Sequence, residues 1–336
     1  MTVSSRAPVN RPLTPDRLAL LTKVARMYHE RGLRQPEIAE QLNLSQSRVS
    51  RLLRDAVTVG IVRTVVVAPA GVHTDLEDRV RSAFGLKDVV VVDTPAEPGE
   101  DALLAALGSG GAGYLELSLG SEERVGISSW SSSLLAVVNS MSPRTTRMAA
   151  EVVQILGGVG NPNAQVRATH LADGLAKVTG SRVVYLPLPG IVSSGQVRDA
   201  LLTDAYTGDA PRLWGSLTTA LVGIGSLQPS ELLRSSGNAV SDADQAMLRA
   251  GGAVGDVCLR FFDANGRHVV SDLEDRVIGI SAEQLRATPR RVGVAGGRRK
   301  HQAILAAVRG GWLNVLVTDE ETAEYLLASL DAPAES

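Results

Sequence analysis

The sequence predicts an α/β protein in two parts, an N-terminal winged helix-turn-helix domain and a larger, doubly wound, mostly parallel α/β domain. Three observations predict it. The first 68 residues place apolar side chains at helical spacing and carry an excess of basic charge. From Asp88 onward, short runs rich in β-branched residues alternate with helical stretches. The 336 residues also suit two domains at roughly 150 each. The expected boundaries are residues 1–70 for the head, 71–86 for a linker helix and 87–332 for the α/β domain.

Composition narrows the class further. Hydrophobic residues at 44% and charged residues at 21% are those of a globular chain rather than a disordered one. Apolar runs such as Val65–Ala68 and Val89–Val92 fall far short of the ~20 residues of a membrane span. Met1–Pro12 lacks the hydrophobic segment of a secretory signal. Cys258 is the only cysteine, which excludes an internal disulfide, and the five histidines are scattered without ligand spacing. The expectation is a cytoplasmic chain with no metal, no cofactor and no membrane association.

The head is read element by element. Pro15–Arg31 carries Leu18, Leu21, Val24, Ala25 and Tyr28 at helical spacing. Gln35–Leu42 starts with Pro36 in the first turn and acids early, as a helix start should, with Ile38, Ala39 and Leu42 on one face. Asn43 takes a turn position that tolerates the left-handed conformation. Ser45 is the expected N-cap of a second helix over Gln46–Asp55, whose apolar positions are Val49, Leu52 and Leu53. Two short helices joined this way form a helix-turn-helix. Gly60 then stops the helix, and Ile61–Ala68 reads as the strand of a wing.

Charge gives this pattern a direction. Residues 1–68 hold eleven basic side chains against five acids, a net of +6, which leaves −8 for the remainder of a chain of net −2. A basic head on an acidic body is expected where only the head meets a polyanion. A solvated arginine-rich tail is the plainer explanation of basic charge, but these arginines sit inside the helical pattern. The DNA-contacting candidates are Gln35, Ser45, Gln46, Ser47, Arg48, Ser50, Arg51, Arg54 and Arg63. Gln46 and Arg48 suit base edges in a major groove, whereas the serines, Arg51, Arg54 and Arg63 suit phosphates.

Gly71–Gly85 repeats Leu76, Val80 and Phe84 every four residues and is expected as the linker helix. Strands are expected at Asp88–Asp93, Arg124–Ser128, Glu151–Leu156, Arg182–Leu186, Thr219–Ile224, Val254–Phe262, Arg291–Ala295 and Leu313–Thr318. Helices are expected between most of them, including Asp101–Leu119, Ser131–Met141, Ala164–Thr179, Asp242–Arg249, Arg299–Arg309 and Glu320–Ser329. Ligands of such sheets sit where strand ends meet helix N-termini. Three strand-to-helix turns therefore draw the functional search.

The first turn, Ser128–Ser133, sets five serines around Trp130, more hydroxyls than N-capping needs and suited to an anion. The second, Gly296–Lys300, allows close backbone approach and brings an ammonium near a helix start, without the P-loop spacing. The third places Asp256 beside Gly255 at the start of an apolar run, where it caps amides or accepts sugar hydroxyls. Leu156-Gly-Gly-Val-Gly lacks the dinucleotide register, and that reading is rejected.

Read in order, these motifs resemble the SorC family of bacterial sugar-responsive transcriptional regulators. The resemblance is carried by the head, by Gly126-Ile-Ser-Ser-Trp-Ser-Ser-Ser-Leu, by Tyr185-Leu-Pro-Leu-Pro-Gly, by Gly252-Ala-Val-Gly-Asp-Val-Cys and by Gly296-Gly-Arg-Arg-Lys-His. It spans about Leu18 to Leu327. It implies a C-terminal domain folded like the phosphosugar isomerases that binds a sugar or sugar phosphate and alters the hold on operator DNA, in a homodimer or homotetramer. The family's phosphate loop falls on Ser129–Ser133, with Ser131 in place of the loop glycine and Ser133 in place of its threonine. The effector-contacting residues implied are Ser129, Ser131, Ser132, Ser133, Gln165, Arg167, Asp256, Gly296, Gly297 and Lys300. The alternative is a sugar-phosphate isomerase-like enzyme with an accessory head. Asp256 is the only acid placed where that chemistry needs a base, so no catalytic residue is assigned.

Overall fold

A computed structural model describes residues 14–62, 71–95, 99–143, 146–158, 162–228 and 240–331, with backbone alone at 162–168 and 331. The chain divides into two compact units between Val67 and Ala68.

The smaller unit is three helices, α1 (Pro15–His29), α2 (Gln35–Gln41) and α3 (Gln46–Thr58). Thr14 caps α1 by accepting from Arg17 N at 3.4 Å, and Ser45 caps α3 by accepting from Arg48 N at 3.3 Å. Leu21 and Val24 of α1, Ile38 of α2, and Val49, Leu52, Leu53 and Ala56 of α3 close one core. Asn43 takes φ 53°, the left-handed turn expected between the two helices. Ile61 and Val62 lie in a bend. The rest of the expected wing, Arg63 included, falls outside the described residues.

The larger unit opens with α4 (Thr74–Phe84) and β1 (Asp88–Val92), followed by α5 (Glu100–Ser118), β2 (Arg124–Ile127), α6 (Ser132–Ser140) and β3 (Glu151–Gln154). Then come α7 (Pro162–Thr179), β4 (Arg182–Val184), α8 (Gly195–Thr203), α9 (Ala210–Leu213), β5 (Thr219–Gly223) and β6 (Gly225–Ser226). The remainder is α10 (Asp242–Ala250), β7 (Ala253–Val257), β8 (Arg260–Asp263), α11 (Ala282–Ala287), β9 (Arg290–Val294), α12 (His301–Arg309), β10 (Val315–Asp319) and α13 (Glu320–Asp331).

Seven strands form one all-parallel sheet in the order β1-β10-β9-β5-β2-β3-β4. Its strands read as continuous apolar runs because both faces are covered. On one face Leu107 and Leu115 of α5, Leu134 and Val137 of α6 and Leu175 of α7 meet Val125, Ile127 and Val315. On the other, Val80 of α4, Ile304 of α12 and Leu326 of α13 meet Val153, Val222 and Leu316. Full burial of each such side chain contributes about 1.5–3 kcal/mol. The helices that follow β2 and β9 thus leave the sheet on opposite sides, which opens a crevice at the strand C-termini between them.

Two expectations need correction. The stretch expected as a linker helix packs into the larger unit: Val80 of α4 is buried, and Glu77 Oε1 accepts from Val91 N of the edge strand β1 at 2.9 Å. Val254–Phe262 is not a strand of the parallel sheet. It folds as the β7–β8 hairpin, in a separate three-stranded antiparallel sheet with β6. The turn is made by Cys258 and Leu259, both left-handed at φ 55° and 60°. Side chains rarely adopt that conformation, so the sequence shows none of the usual turn residues. No helix among the described residues is long and apolar enough to cross a membrane.

Candidate functional site

In the smaller unit, Gln46, Ser47, Arg48, Arg51 and Arg54 all stand on the exposed side of α3, opposite its buried Val49, Leu52 and Leu53. None of the three arginines forms an ion pair among the described residues, so each guanidinium is free for a phosphate or a base edge. Ser45 is exposed at the N-cap, and its hydroxyl is 3.1 Å from that of Ser47. Gln35 and Ser50 are only half-exposed. Arg17 differs from its neighbours: it pairs with Asp55 at 2.9 Å and ties α1 to α3.

In the larger unit, the crevice is a cavity of about 430 Å³ at the C-terminal ends of three adjacent strands, β2, β5 and β9. Seven of the ten expected effector residues line it: Ser131, Ser132, Ser133, Asp256, Gly296, Gly297 and Lys300. Ser129 does not. Its hydroxyl is buried and donates to Leu156 O at 2.6 Å, while Trp130 Nε1 donates to Gly157 O at 3.1 Å, so both side chains anchor the loop. Gln165 and Arg167 fall on α7 where side chains are outside the described residues.

The serine loop divides its labour. Ser131 Oγ caps α6 by accepting from Leu134 N at 3.3 Å. The hydroxyls of Ser128, Ser132 and Ser133 line the cavity and have no hydrogen-bond partner among the described residues. They stand at the positive end of α6, where developing or fixed negative charge is stabilised.

The Gly296–Gly297 turn is built for shape rather than donation. Gly297 has φ +85°, and its N–H already donates to Asp319 Oδ2 at 2.8 Å and Thr322 Oγ1 at 3.1 Å. A Cβ at Gly296 would stand 2.1 Å from Asp319 Oδ2. The turn delivers Lys300 into the cavity, while Arg298 pairs outward with Glu321 and Arg299 lies 4.0 Å from Glu100. The Lys300 ammonium has no hydrogen bond or close ion pair among the described residues. Burial, then the nearby Arg299 charge, holds its pKa below the usual lysine value.

Asp256 faces the same cavity from β7. Burial pushes its carboxyl up to about 6, against the Leu259 N–H bond and the Lys300 charge, which both favour the carboxylate. Oδ2 accepts from Leu259 N at 2.9 Å and so clasps the left-handed Cys258–Leu259 turn. The Cys258 thiol is buried and pushed up to about 12, which leaves it inert as a nucleophile. Glu100, Trp130, Ile224 and Arg299 also line the cavity and were missed in the sequence. Glu100 and Arg299 arrive from opposite ends of the chain, and no local pattern links them.

The sequence and the fold are similar to those of known proteins. Residues 69–328 match the family Sugar-bind, described as "Putative sugar-binding domain", and residues 22–59 match Sigma-70, region 4. The chain is 31% identical to the deoxyribonucleoside regulator of Bacillus subtilis over 94% of this chain and 99% of that protein. It is 29% identical to the sorbitol operon regulator of Klebsiella pneumoniae over 93% of this chain and 98% of that one. The crystal structure of the full-length sorbitol operon regulator SorC from Klebsiella pneumoniae superposes with a TM-score of 0.70 at 28% identity, covering 93% of this chain and 99% of that one. With a helix-turn-helix head and a doubly wound α/β body in one chain, the protein belongs to the SorC family of sugar-responsive, DNA-binding transcriptional regulators.

Proposed function

We propose that α3 reads operator DNA in the major groove and that a sugar or sugar phosphate in the cavity controls that hold. Gln46 and Arg48, at the first turn of α3, reach base edges, and Arg51, Arg54, Ser45, Ser47 and Ser50 meet phosphates, with Gln35 and Arg63 as further DNA contacts. The effector's anionic end sits at the N-terminus of α6 against Ser132 and Ser133. Its hydroxyls reach Asp256 and Lys300. The observation that carries this reading is the convergence of unpartnered hydroxyls, an unpartnered ammonium and a carboxylate on one cavity. Groups left without protein partners at a cavity wall are groups a polar ligand can satisfy.

Effector binding shifts the population between DNA-competent and incompetent arrangements, by no more than its differential affinity for the two. The working protein is a homodimer or homotetramer in the cytoplasm, where its DNA partner is. A salt-titrated operator-binding assay on the full chain, with and without a panel of sugars and sugar phosphates, tests the reading. Sequence-specific binding that one class of sugar alters is expected. Absence of specific binding under every condition overturns it, and sugar-phosphate turnover abolished by Asp256→Ala would replace it with an isomerase.

A further inference from the structure

We infer that His73, Asp93 and Glu320 form a second, separate site, for a divalent transition cation of the Mn²⁺/Zn²⁺ class. One ligand-type atom from each of the three lies within 4.8 Å of those of the other two. Strand register assembles two of them: β1 and β10 pair in parallel with Val92 opposite Asp319, so Asp93 and Glu320 follow side by side where the strands end. The third, His73, immediately precedes α4. Gly71, two residues before His73, turns the chain at φ +80°, and a Cβ there would stand in ordinary contact 3.6 Å from Asp93 Oδ2.

The cluster differs from an ordinary surface ion pair in what its members do not do. None of the three side chains makes a hydrogen bond among the described residues. His73 Nδ1 and Glu320 Oε1 are 3.6 Å apart, beyond hydrogen-bonding range. His73 Nε2 is fully buried without a partner, on a side chain that is only 16% exposed. Two carboxylates held together repel, and a divalent cation between them offsets that repulsion. Bonds of about 2.1 Å place ligand atoms about 3–4 Å apart, so closure from separations of up to 4.8 Å requires side-chain movements on the order of 1 Å. One imidazole with two carboxylates suits Mn²⁺ or Zn²⁺, whereas Mg²⁺ and Ca²⁺ prefer all-oxygen shells. Three protein ligands leave the remaining positions to water.

The site's position gives it a regulatory meaning. Glu320 adjoins Asp319, the carboxylate that holds the Gly296–Gly297 turn of the cavity. His73 lies three residues past the 63–70 segment that joins the units in sequence. A bound cation would therefore fasten the start of α4 to the same strand end that shapes the cavity.

The test uses the chelator-stripped full chain titrated with MnCl₂ or ZnCl₂ alone, without DNA or sugar, so its outcome is independent of the effector reading. Saturable binding at one ion per chain is expected, with Mg²⁺ and Ca²⁺ clearly weaker. His73→Gln, Asp93→Asn and Glu320→Gln should each weaken it by about tenfold or more. Glu321→Gln, whose side chain pairs with Arg298 instead, should leave it unchanged. Asp93 is exposed, so its variant keeps the fold, as circular dichroism will verify. No saturable binding, binding indifferent to Asp93→Asn and Glu320→Gln, or equal preference for Mg²⁺ would each overturn the inference.

Discussion

Replacing Asp256 with asparagine should make the protein more stable and less responsive at the same time. Burial raises this carboxyl from 3.8 to about 6. A raised acid binds its proton more tightly in the folded state, so its contribution to stability is fully present below pH 3.8 and is lost as pH rises through about 6. A shift of about two units corresponds to roughly 3 kcal/mol withheld at neutral pH. That figure is an upper bound, because the carboxylate opens onto the cavity and water there solvates part of its charge. The asparagine Oδ1 still accepts from Leu259 N, so the hairpin clasp survives. Lys300 loses an attractive neighbour, which takes back part of the gain. The expected result in thermal unfolding of the full chain is a melting point higher than wild type by about 2–6 °C at pH 8, on the order of 2–4 °C per kcal/mol for a unit of this size. The difference should shrink to nothing near pH 4. Sugar affinity should fall at every pH, the exchange of stability for function expected at a buried charge. A variant that is less stable at pH 8, or whose shift does not vary with pH, would refute the assignment of Asp256 as a desolvated, functional carboxylate.

Other expectations follow from the same geometry. Arg48→Ala should relax base preference, while Arg54→Ala should weaken binding evenly across sequences and reduce the salt slope by about one, both read from operator titrations at several salt concentrations. Equal behaviour of the two would mean the groove-facing side of α3 is misassigned. Ser45→Ala should destabilise the head by about 1 kcal/mol through loss of the α3 cap, measured by denaturant unfolding. Gly296→Ala forces a Cβ against Asp319 Oδ2, and should abolish the thermal shift caused by effector as well as lower the melting point.

Much of this architecture was legible because its physics is local. Helical spacing of Leu21, Val24, Ile38, Val49 and Leu52 reports the three-helix head, and β-branched runs such as Val89–Val92 report strands covered on both faces. Turns also declare themselves when they follow a strand with Gly or Ser, as at Ser128–Ser133 and Gly296–Lys300. The β7–β8 hairpin stayed hidden because Cys258 and Leu259 adopt a conformation that their residue types rarely take, held there by a single carboxylate. Nothing local in the sequence distinguishes the Ser129 hydroxyl, spent on Leu156 O, from the free ones beside it. The helices α8, α9 and α11 went unseen, since each is short and weakly patterned. Asp93 and Glu320 meet through strand register, and His73 joins them from the start of α4, so no spacing rule could have joined the three.

The cavity wall is drawn from two sheets that share no backbone hydrogen bond among the described residues: Ser131–Ser133 and Lys300 follow strands of the seven-stranded sheet, and Asp256 belongs to the three-stranded one. An occupant that touches both acts as a removable crosslink between otherwise separately hydrogen-bonded layers. Without it, the smaller layer is held to the body by side-chain packing such as that of Val257 and Phe262 against Ala303 and Ile304 of α12, so the occupant's binding energy adds to that packing.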